Sequence, residues 1–185
     1  LNCIVLAKDS APGTPEWDLF VKEVRREMTV KAGQKCTAIR RIFVPEELME
    51  DAWKAIAKTL EQTVIGNPAN ERVRMGPLAG QTQRNEVRDQ VNKLLASSQI
   101  VYGSLDSVEV VDADPRAGAF ISPILLTNTN PFHSTEPHEV EAFGPVSTLM
   151  PYRDPEDAIE LARMGKGSLV CSVVTADPSF ATDFV

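Results

Sequence analysis

The chain has 185 residues, of which 43% are hydrophobic and 24% charged, so it can form one packed domain and long-range disorder is excluded. Its 26 acidic and 19 basic residues give a net charge of −7, which argues against a general surface for nucleic acid or anionic membranes. The sequence has no apolar run near the roughly 18 residues of a membrane span and opens without a basic leader.

The first half of the sequence alternates apolar runs with helical patterns. Strands are predicted at 3–6 and 39–44. A helix is predicted to begin at Thr14-Pro15, because threonine can cap a helix and proline is tolerated at its first position. Two further helices are predicted, one after Pro45 and one over 82–98, with a loop from Gly66 to Gly80 between them. The residues predicted to face inward on the three helices are Trp17, Phe20, Val24 and Met28, then Met49, Trp53, Ile56 and Leu60, then Val87, Val91 and Leu94.

The second half contains further strands and two more capped helices. Strands are predicted at 100–102, 108–111, 119–126, 146–151 and 169–175. Helices are predicted to begin at Asp154-Pro155 and at Asp177-Pro178. Strands that alternate with helices indicate an α/β layer fold with a largely parallel sheet, in one domain over 1–185. Because the last helix has about two turns and the first strand begins at once, we expect both ends to be cut from a longer polypeptide.

Three cysteines are too few and too scattered for a disulfide scaffold or a paired-thiol metal site. Cys3 and Cys171 lie in apolar runs and are predicted to be buried strand thiols; reduced thiols indicate the cytoplasm. Cys36, in Gly33-Gln34-Lys35-Cys36-Thr37-Ala38, follows a helix and precedes a strand, where ligands gather in α/β folds. Basic neighbours would favour its thiolate: Lys31, Lys35, Arg40 and Arg41. On the residues alone, a catalytic nucleophile and a buried structural cysteine both remain open.

Two other segments are candidates for binding. In Glu141-Ala142-Phe143-Gly144-Pro145-Val146, Glu141 and Phe143 would share a face of extended chain, where a carboxylate and a ring could hold a ribose and a base; an ordinary acidic loop is the alternative. His133 and His138 lack the helical spacing of a zinc site and are predicted to lie in a solvated loop. A cysteine-hydrolase dyad between Cys36 and one of these histidines is a further alternative.

Together these segments resemble the aldehyde dehydrogenase superfamily. The segment around Cys36 is similar to the family's catalytic-cysteine motif, and 141–146 is similar to its Glu-x-Phe-Gly-Pro-Val signature. Ile65-Gly66-Asn67-Pro68 and Met75-Gly76-Pro77-Leu78 resemble two further landmarks between them. The residues of these segments are most similar to the aldehyde dehydrogenase part of the family's bifunctional phenylacetate-degradation members, in which a hydratase domain follows.

The resemblance implies a three-layer catalytic domain with helices on both faces of the sheet. The Cys36 thiolate would attack an aldehyde, the resulting hemithioacetal would pass a hydride to NADP or NAD, and water would release the acid. Glu141 matches the position that holds the nicotinamide-side ribose, Phe143 packs beside it, and Gln83 falls near a position that can touch the cofactor. No metal is implied. The general-base glutamate, the oxyanion asparagine and the Rossmann domain are expected upstream, so we expect the isolated chain to be inactive.

The resemblance also implies the biological setting. The expected substrate is a CoA-linked semialdehyde of aerobic phenylacetate degradation, oxidised by a cytoplasmic homo-oligomer with no nucleic-acid or membrane partner. The alternatives are a semialdehyde dehydrogenase of the benzoyl-CoA ring-opening route and a non-catalytic assembly domain. The sequence leaves open the exact acyl-CoA and the choice between NAD and NADP.

Overall fold

The computed structural model describes residues 1–184, which form a six-stranded sheet with helices packed against it. The strands are β1 (Cys3–Leu6), β2 (Arg41–Pro45), β3 (Gln99–Tyr102), β4 (Ile124–Thr127), β5 (Val146–Tyr152) and β6 (Cys171–Val174), and their order in the sheet is β3-β4-β5-β2-β1-β6. Every neighbouring pair is parallel except β3 with β4. The predicted largely parallel sheet is confirmed.

Three helices begin at the predicted caps, two begin near the predicted positions without a side-chain cap, and a short one over Glu136–Glu139 is not predicted by the sequence. The helices are α1 (Pro15–Thr29), α2 (Met49–Glu61), α3 (Gln81–Leu94), α4 (Glu136–Glu139), α5 (Pro155–Arg163) and α6 (Pro178–Thr182). The Thr14 hydroxyl caps α1, the Asp154 carboxylate caps α5 and the Asp177 carboxylate caps α6, each by accepting a backbone N–H of the first turn. No helix among the described residues is long and apolar enough to cross a membrane.

Helices cover both faces of the sheet. Ile4 and Leu6 on β1 pack into the cluster formed by α1 and α2, whereas Val5 packs with Leu161 of α5. Successive strand residues point to opposite faces, so α1 and α2 form one layer and α5 lies in the other. A further cluster joins α3 to β4. The three-layer α/β arrangement is confirmed.

Two predicted strands differ from the structure. The segment 108–111 is not a strand, and Val111 instead makes a single bridge to Gly66. In the segment 119–126 the strand begins only at Ile124, directly after Pro123, which has no N–H to donate to a sheet. The first difference depends on pairing with a distant residue, whereas the second has a local cause in Pro123.

The predicted burial of Cys171 is wrong, whereas that of Cys3 is confirmed. Cys171 is the first residue of β6, which lies at the edge of the described sheet and pairs with β1 on one side. Its apolar run predicts a strand correctly, but an edge strand leaves its first residue exposed.

Candidate active site

Cys36 lies in an exposed turn between α1 and β2. After α1 the chain makes a short turn, Val30–Gly33, in which Gly33 adopts a φ of +68°. A Cβ atom at Gly33 would lie 2.1 Å from the carbonyl oxygen of Gly144, so the close approach requires glycine. The turn therefore brings the Cys36 segment against the 141–146 segment, and the alternative of a buried structural cysteine is wrong.

Arg40 joins these two segments. Its side chain is buried, at 5% exposure. One terminal nitrogen donates to the Gly144 carbonyl at 2.6 Å and the other to the Gly33 carbonyl at 2.7 Å. Its Nε lies 3.4 Å from a carboxylate oxygen of Glu141, and its guanidinium carbon lies 5.4 Å from the centre of the Phe143 ring. Burial lowers the pKa of Arg40, and the Glu141 carboxylate opposes that shift.

The basic residues around Cys36 are occupied by other partners. Arg40 makes the hydrogen bonds described above. Arg41 is buried and donates to the carbonyls of Leu1, Leu161 and Ala162. The Lys35 ammonium pairs with the Glu27 carboxylate at 2.6 Å. Three of the four basic residues, Arg40, Arg41 and Lys35, therefore have structural partners. The sequence signal for Arg40 and Arg41 was charge alone, which does not reveal these carbonyl partners.

Asn2 is a buried residue that the sequence analysis missed. Its side-chain nitrogen donates to the Cys36 carbonyl at 2.7 Å and to the Ala38 carbonyl at 3.2 Å. Its side-chain oxygen accepts the backbone N–H groups of Leu169 and Val170, just before β6. Asn2 therefore fixes the backbone of the Cys36 turn to the sheet. The only signal in the sequence is an amide residue directly before an apolar strand.

The other predicted segments converge on the same place. Gln83 at the start of α3 donates to the Phe143 carbonyl at 2.8 Å, so Gln83, Phe143 and Glu141 lie together. The Gln34 side chain accepts the backbone N–H of Ala79, which brings the Met75-Gly76-Pro77-Leu78 segment to the Cys36 turn. The Gly66 N–H in turn donates to the Met75 carbonyl.

Glu141 and Phe143 have the exposure that a ligand needs. The Glu141 side chain is half exposed, and its contact with Arg40, at 3.4 Å, is long for a charged hydrogen bond. Phe143 is 37% exposed and is the one aromatic ring among the exposed large apolar residues of the described chain. A carboxylate with free acceptor positions beside an exposed ring fits a ribose diol and an aromatic base.

His138 is not in a solvated loop, contrary to the prediction; it is 3% exposed and lies on α4. Its Nδ1 lies 3.1 Å from a nitrogen of Arg41, which can only donate, and its Nε2 lies 3.0 Å from the Pro131 carbonyl, which can only accept. His138 is therefore neutral with the proton on Nε2, and both ring nitrogens are engaged away from Cys36. His133 is exposed.

Neither histidine supports the cysteine-hydrolase alternative or a metal site. His138 has no free nitrogen with which to activate a thiol, since Arg41 and Pro131 occupy both. Within residues 1–184, no three His, Cys, Asp or Glu side chains form a group that could hold a metal ion.

The buried His138 predicts acid sensitivity. Burial and the Arg41 charge lower its pKa below 6.5, so the unfolded chain takes up a proton at higher pH than the folded chain. The free energy of unfolding should therefore fall as the pH drops through 6.5. We expect His138→Gln to cost about 1–3 kcal/mol at pH 7.5, because it disturbs two buried hydrogen bonds, and to flatten this fall. Urea unfolding at pH 7.5, 6.5 and 5.5 measures both, with His133→Gln as the exposed control. An unchanged pH slope in His138→Gln would contradict the assignment.

Known proteins resemble this chain in sequence and in fold. Residues 14–185 match the family model described as the aldehyde dehydrogenase family. The chain is 44% identical over all 185 residues to a protein named 3,4-dehydroadipyl-CoA semialdehyde dehydrogenase from Aromatoleum evansii, of which it spans 36%. It is also 43% identical, over 60% of its length, to Protein MaoC from Klebsiella aerogenes, of which it spans 32%. The chain thus spans about a third of the length of these relatives.

Solved structures show the same fold at lower identity. Betaine aldehyde dehydrogenase from Staphylococcus aureus, in complex with NAD⁺, aligns over 99% of this chain and 34% of its own, with a TM-score of 0.84 at 23% identity. A mutant of aldehyde dehydrogenase C from Pseudomonas syringae, in complex with NAD⁺ and octanal, aligns over 99% of this chain and 36% of its own, with a TM-score of 0.85 at 21% identity. With the family match over residues 14–185 and a relative at 44% identity, the chain belongs to the aldehyde dehydrogenase family.

Proposed function

We propose that the protein containing this chain oxidises a CoA-linked semialdehyde to the acid, with Cys36 as nucleophile. The observation that carries the proposal is the Arg40 contact set, which joins the exposed Cys36 turn to Glu141 and Phe143. A nucleophile and a candidate ribose site are thus on adjacent segments. The name of the relative at 44% identity supports the substrate class.

In the proposed reaction the Cys36 sulfur bonds to the aldehyde carbon, and the carbonyl electron pair moves to oxygen. The backbone N–H of Cys36 is proposed to stabilise this oxyanion. Glu141, Phe143 and Gln83 are proposed to hold the nicotinamide end of the cofactor, and Asn2 keeps the Cys36 backbone in place. NADP or NAD, when bound, supplies the acceptor for the hydride that leaves the hemithioacetal carbon. Water then cleaves the thioester, which releases the acid and restores the Cys36 thiol.

The test is cofactor reduction by the full-length protein with a CoA semialdehyde, followed by absorbance. We expect Cys36→Ala to lower kcat by at least about 10³-fold, because the covalent step is lost. Cys171→Ala, assayed under reducing conditions, is the matched control and should keep its activity. Turnover that survives in Cys36→Ala would overturn the role of Cys36 as nucleophile, and an absence of turnover in the unsubstituted protein would favour the non-catalytic assembly domain.

The pathway is proposed to be aerobic phenylacetate degradation, in a bifunctional protein of the PaaZ type with a hydratase domain. The similarity to Protein MaoC supports the bifunctional part of this assignment. The name of the relative at 44% identity favours a second candidate, a semialdehyde dehydrogenase of benzoyl-CoA ring opening. Ring opening of a phenylacetyl group leaves eight carbons, whereas an adipyl chain has six. A higher kcat/KM for the eight-carbon semialdehyde would support the first candidate, and a higher value for the six-carbon one the second.

The cofactor and the setting complete the proposal. We place NADP ahead of NAD, and the protein as a homo-oligomer in the cytoplasm, where its three unpaired thiols would stay reduced. Comparison of kcat/KM for NADP and NAD in the full-length protein tests which cofactor the enzyme prefers.

Glu141 gives a prediction about the hydride step. In the full-length protein, Glu141→Gln is expected to slow hydride transfer while cofactor affinity changes less, because a misplaced nicotinamide ribose spoils the reaction geometry. Rapid-mixing measurement of reduced cofactor separates the two effects. Glu139→Gln is the matched control, since Glu139 is exposed and its carboxylate pairs with Lys166 at 2.9 Å. A wild-type rate of hydride transfer in Glu141→Gln would contradict the ribose role.

A further inference from the structure

Two thiols outside the proposed active site face each other across the sheet. Cys3 on β1 and Cys171 on β6 are directly paired in the parallel register, so their side chains lie on the same face. Adjacent strands lie about 4.8 Å apart, within the range of about 4.4–6.8 Å between the Cα atoms of a disulfide. We call Cys3 and Cys171 the strand thiol pair.

The strand thiol pair is asymmetric. Cys3 is 1% exposed, whereas Cys171 is exposed and borders a cavity of about 400 Å³. The neighbouring Cys3 thiol and the charge of Arg41 lower the pKa of Cys171 to about 7. The neighbouring Cys171 thiol and burial raise the pKa of Cys3. The proton therefore stays on Cys3, and the thiolate forms on the sulfur that solvent can reach.

The charged groups around Cys171 support this order. Arg41 on β2 is the register partner of Cys3, and the cavity that Cys171 borders is also lined by Arg163, Lys166 and Asp183. The Lys166 ammonium pairs with Glu139 at 2.9 Å, so the charge of Arg41 is the one that acts on the Cys171 sulfur. A thiolate is stabilised in such surroundings.

We propose that the strand thiol pair reacts with hydroperoxides and closes to a disulfide between β1 and β6. The Cys171 sulfur attacks one oxygen of the peroxide, the O–O bond breaks, and an alcohol or water leaves, which produces a sulfenic acid. The Cys3 sulfur then attacks the Cys171 sulfur and the S–O bond breaks. The departing hydroxide takes the Cys3 proton and leaves as water. The two thiols lose two electrons and the peroxide gains them, so no other oxidant is needed.

The test uses the full-length protein with Cys36→Ser, which removes the other exposed thiol of the described residues. After treatment with one equivalent of hydrogen peroxide at low protein concentration, we expect a Cys3–Cys171 peptide in a non-reducing digest, lighter by two hydrogen atoms. Adding Cys3→Ala should stop the reaction at a sulfenic acid on Cys171 that dimedone traps. Adding Cys171→Ala should leave Cys3 unmodified. Thermal unfolding of the reduced variants controls for their folding. Cys171 that stays reduced, or that passes to sulfinic acid while Cys3 is free, would overturn the proposal.

The pH dependence of alkylation gives a second, independent readout. In the full-length protein with Cys36→Ser, iodoacetamide labelling of Cys171 should rise with pH around a midpoint below that of an ordinary cysteine, because the thiolate is the reactive form. When Cys3→Ala is added the midpoint should move upward, since the interaction with the Cys3 thiol is lost. Equal midpoints in the two proteins would contradict the interaction between the thiols.

Discussion

Arg40→Met is expected to lower the free energy of unfolding of the chain by about 3–5 kcal/mol. Methionine fills similar space but donates no hydrogen bond, so the carbonyls of Gly33 and Gly144 lose their charged donor and keep only the backbone N–H groups of Lys35 and Val146. Each of the two lost hydrogen bonds comes from a charged group, and such a bond contributes about 1.5–3 kcal/mol. Small proteins are stable by only about 5–15 kcal/mol, so the variant should unfold at much lower urea concentrations.

Two variants control for the loss of an arginine and of its charge. Arg72 is exposed, so Arg72→Met should leave the free energy of unfolding within about 0.5 kcal/mol of the parent chain. Arg40→Lys keeps the charge but replaces a planar fork with one ammonium, so it should recover only part of the stability. A change below about 1 kcal/mol in Arg40→Met would mean that the two segments are held together by other contacts.

The isolated 185-residue chain is expected not to oxidise aldehydes. In the proposed mechanism the general base and the cofactor-binding Rossmann domain come from outside this chain, which spans about a third of its relatives. Loss of a positioned base alone costs about 10²- to 10⁴-fold. Glu141 and Phe143 would hold only one end of the cofactor, which should leave its affinity too weak for turnover.

The measurement compares NAD or NADP reduction by the chain and by the full-length protein, with a reactive aldehyde. Cys36-dependent turnover by the chain at a hundredth of the full-length rate would show that the base or the cofactor site has been misplaced. Alkylation of Cys36 should still occur in the isolated chain, because that thiol is exposed. The reactivity of the Cys36 thiol can therefore be measured in the isolated chain even where aldehyde oxidation is absent.

The sequence predicts best those elements that depend on neighbouring residues. The strand Cys3–Leu6 has the predicted bounds, and the caps at Thr14, Asp154 and Asp177 form as expected. Caps and apolar runs are local, so a short stretch of sequence contains the whole signal.

The errors concern residues whose surroundings come from distant parts of the chain. The exposure of Cys171 depends on the place of β6 at the sheet edge, and the burial of His138 depends on Arg41. Within the site, the motifs around Cys36 and Glu141 are visible in the sequence, but the role of Arg40 in joining them is not. Arg40 contacts groups on both segments, and only the folded chain shows it.

The position of β1 has a consequence for how the chain reaches its fold. β1 is the first strand of the described chain, yet it lies between β2 and β6, and β6 is the last strand of the described chain. Most of the sheet pairs parallel strands that are far apart in sequence, and such contacts form slowly because long loops must close first. During synthesis one edge of β1 therefore has no strand partner until β6, about 170 residues later, has left the ribosome. A nascent chain of this kind exposes an apolar strand edge for longer than a sheet of hairpins would, and its yield in cells should depend on chaperones that cover such edges.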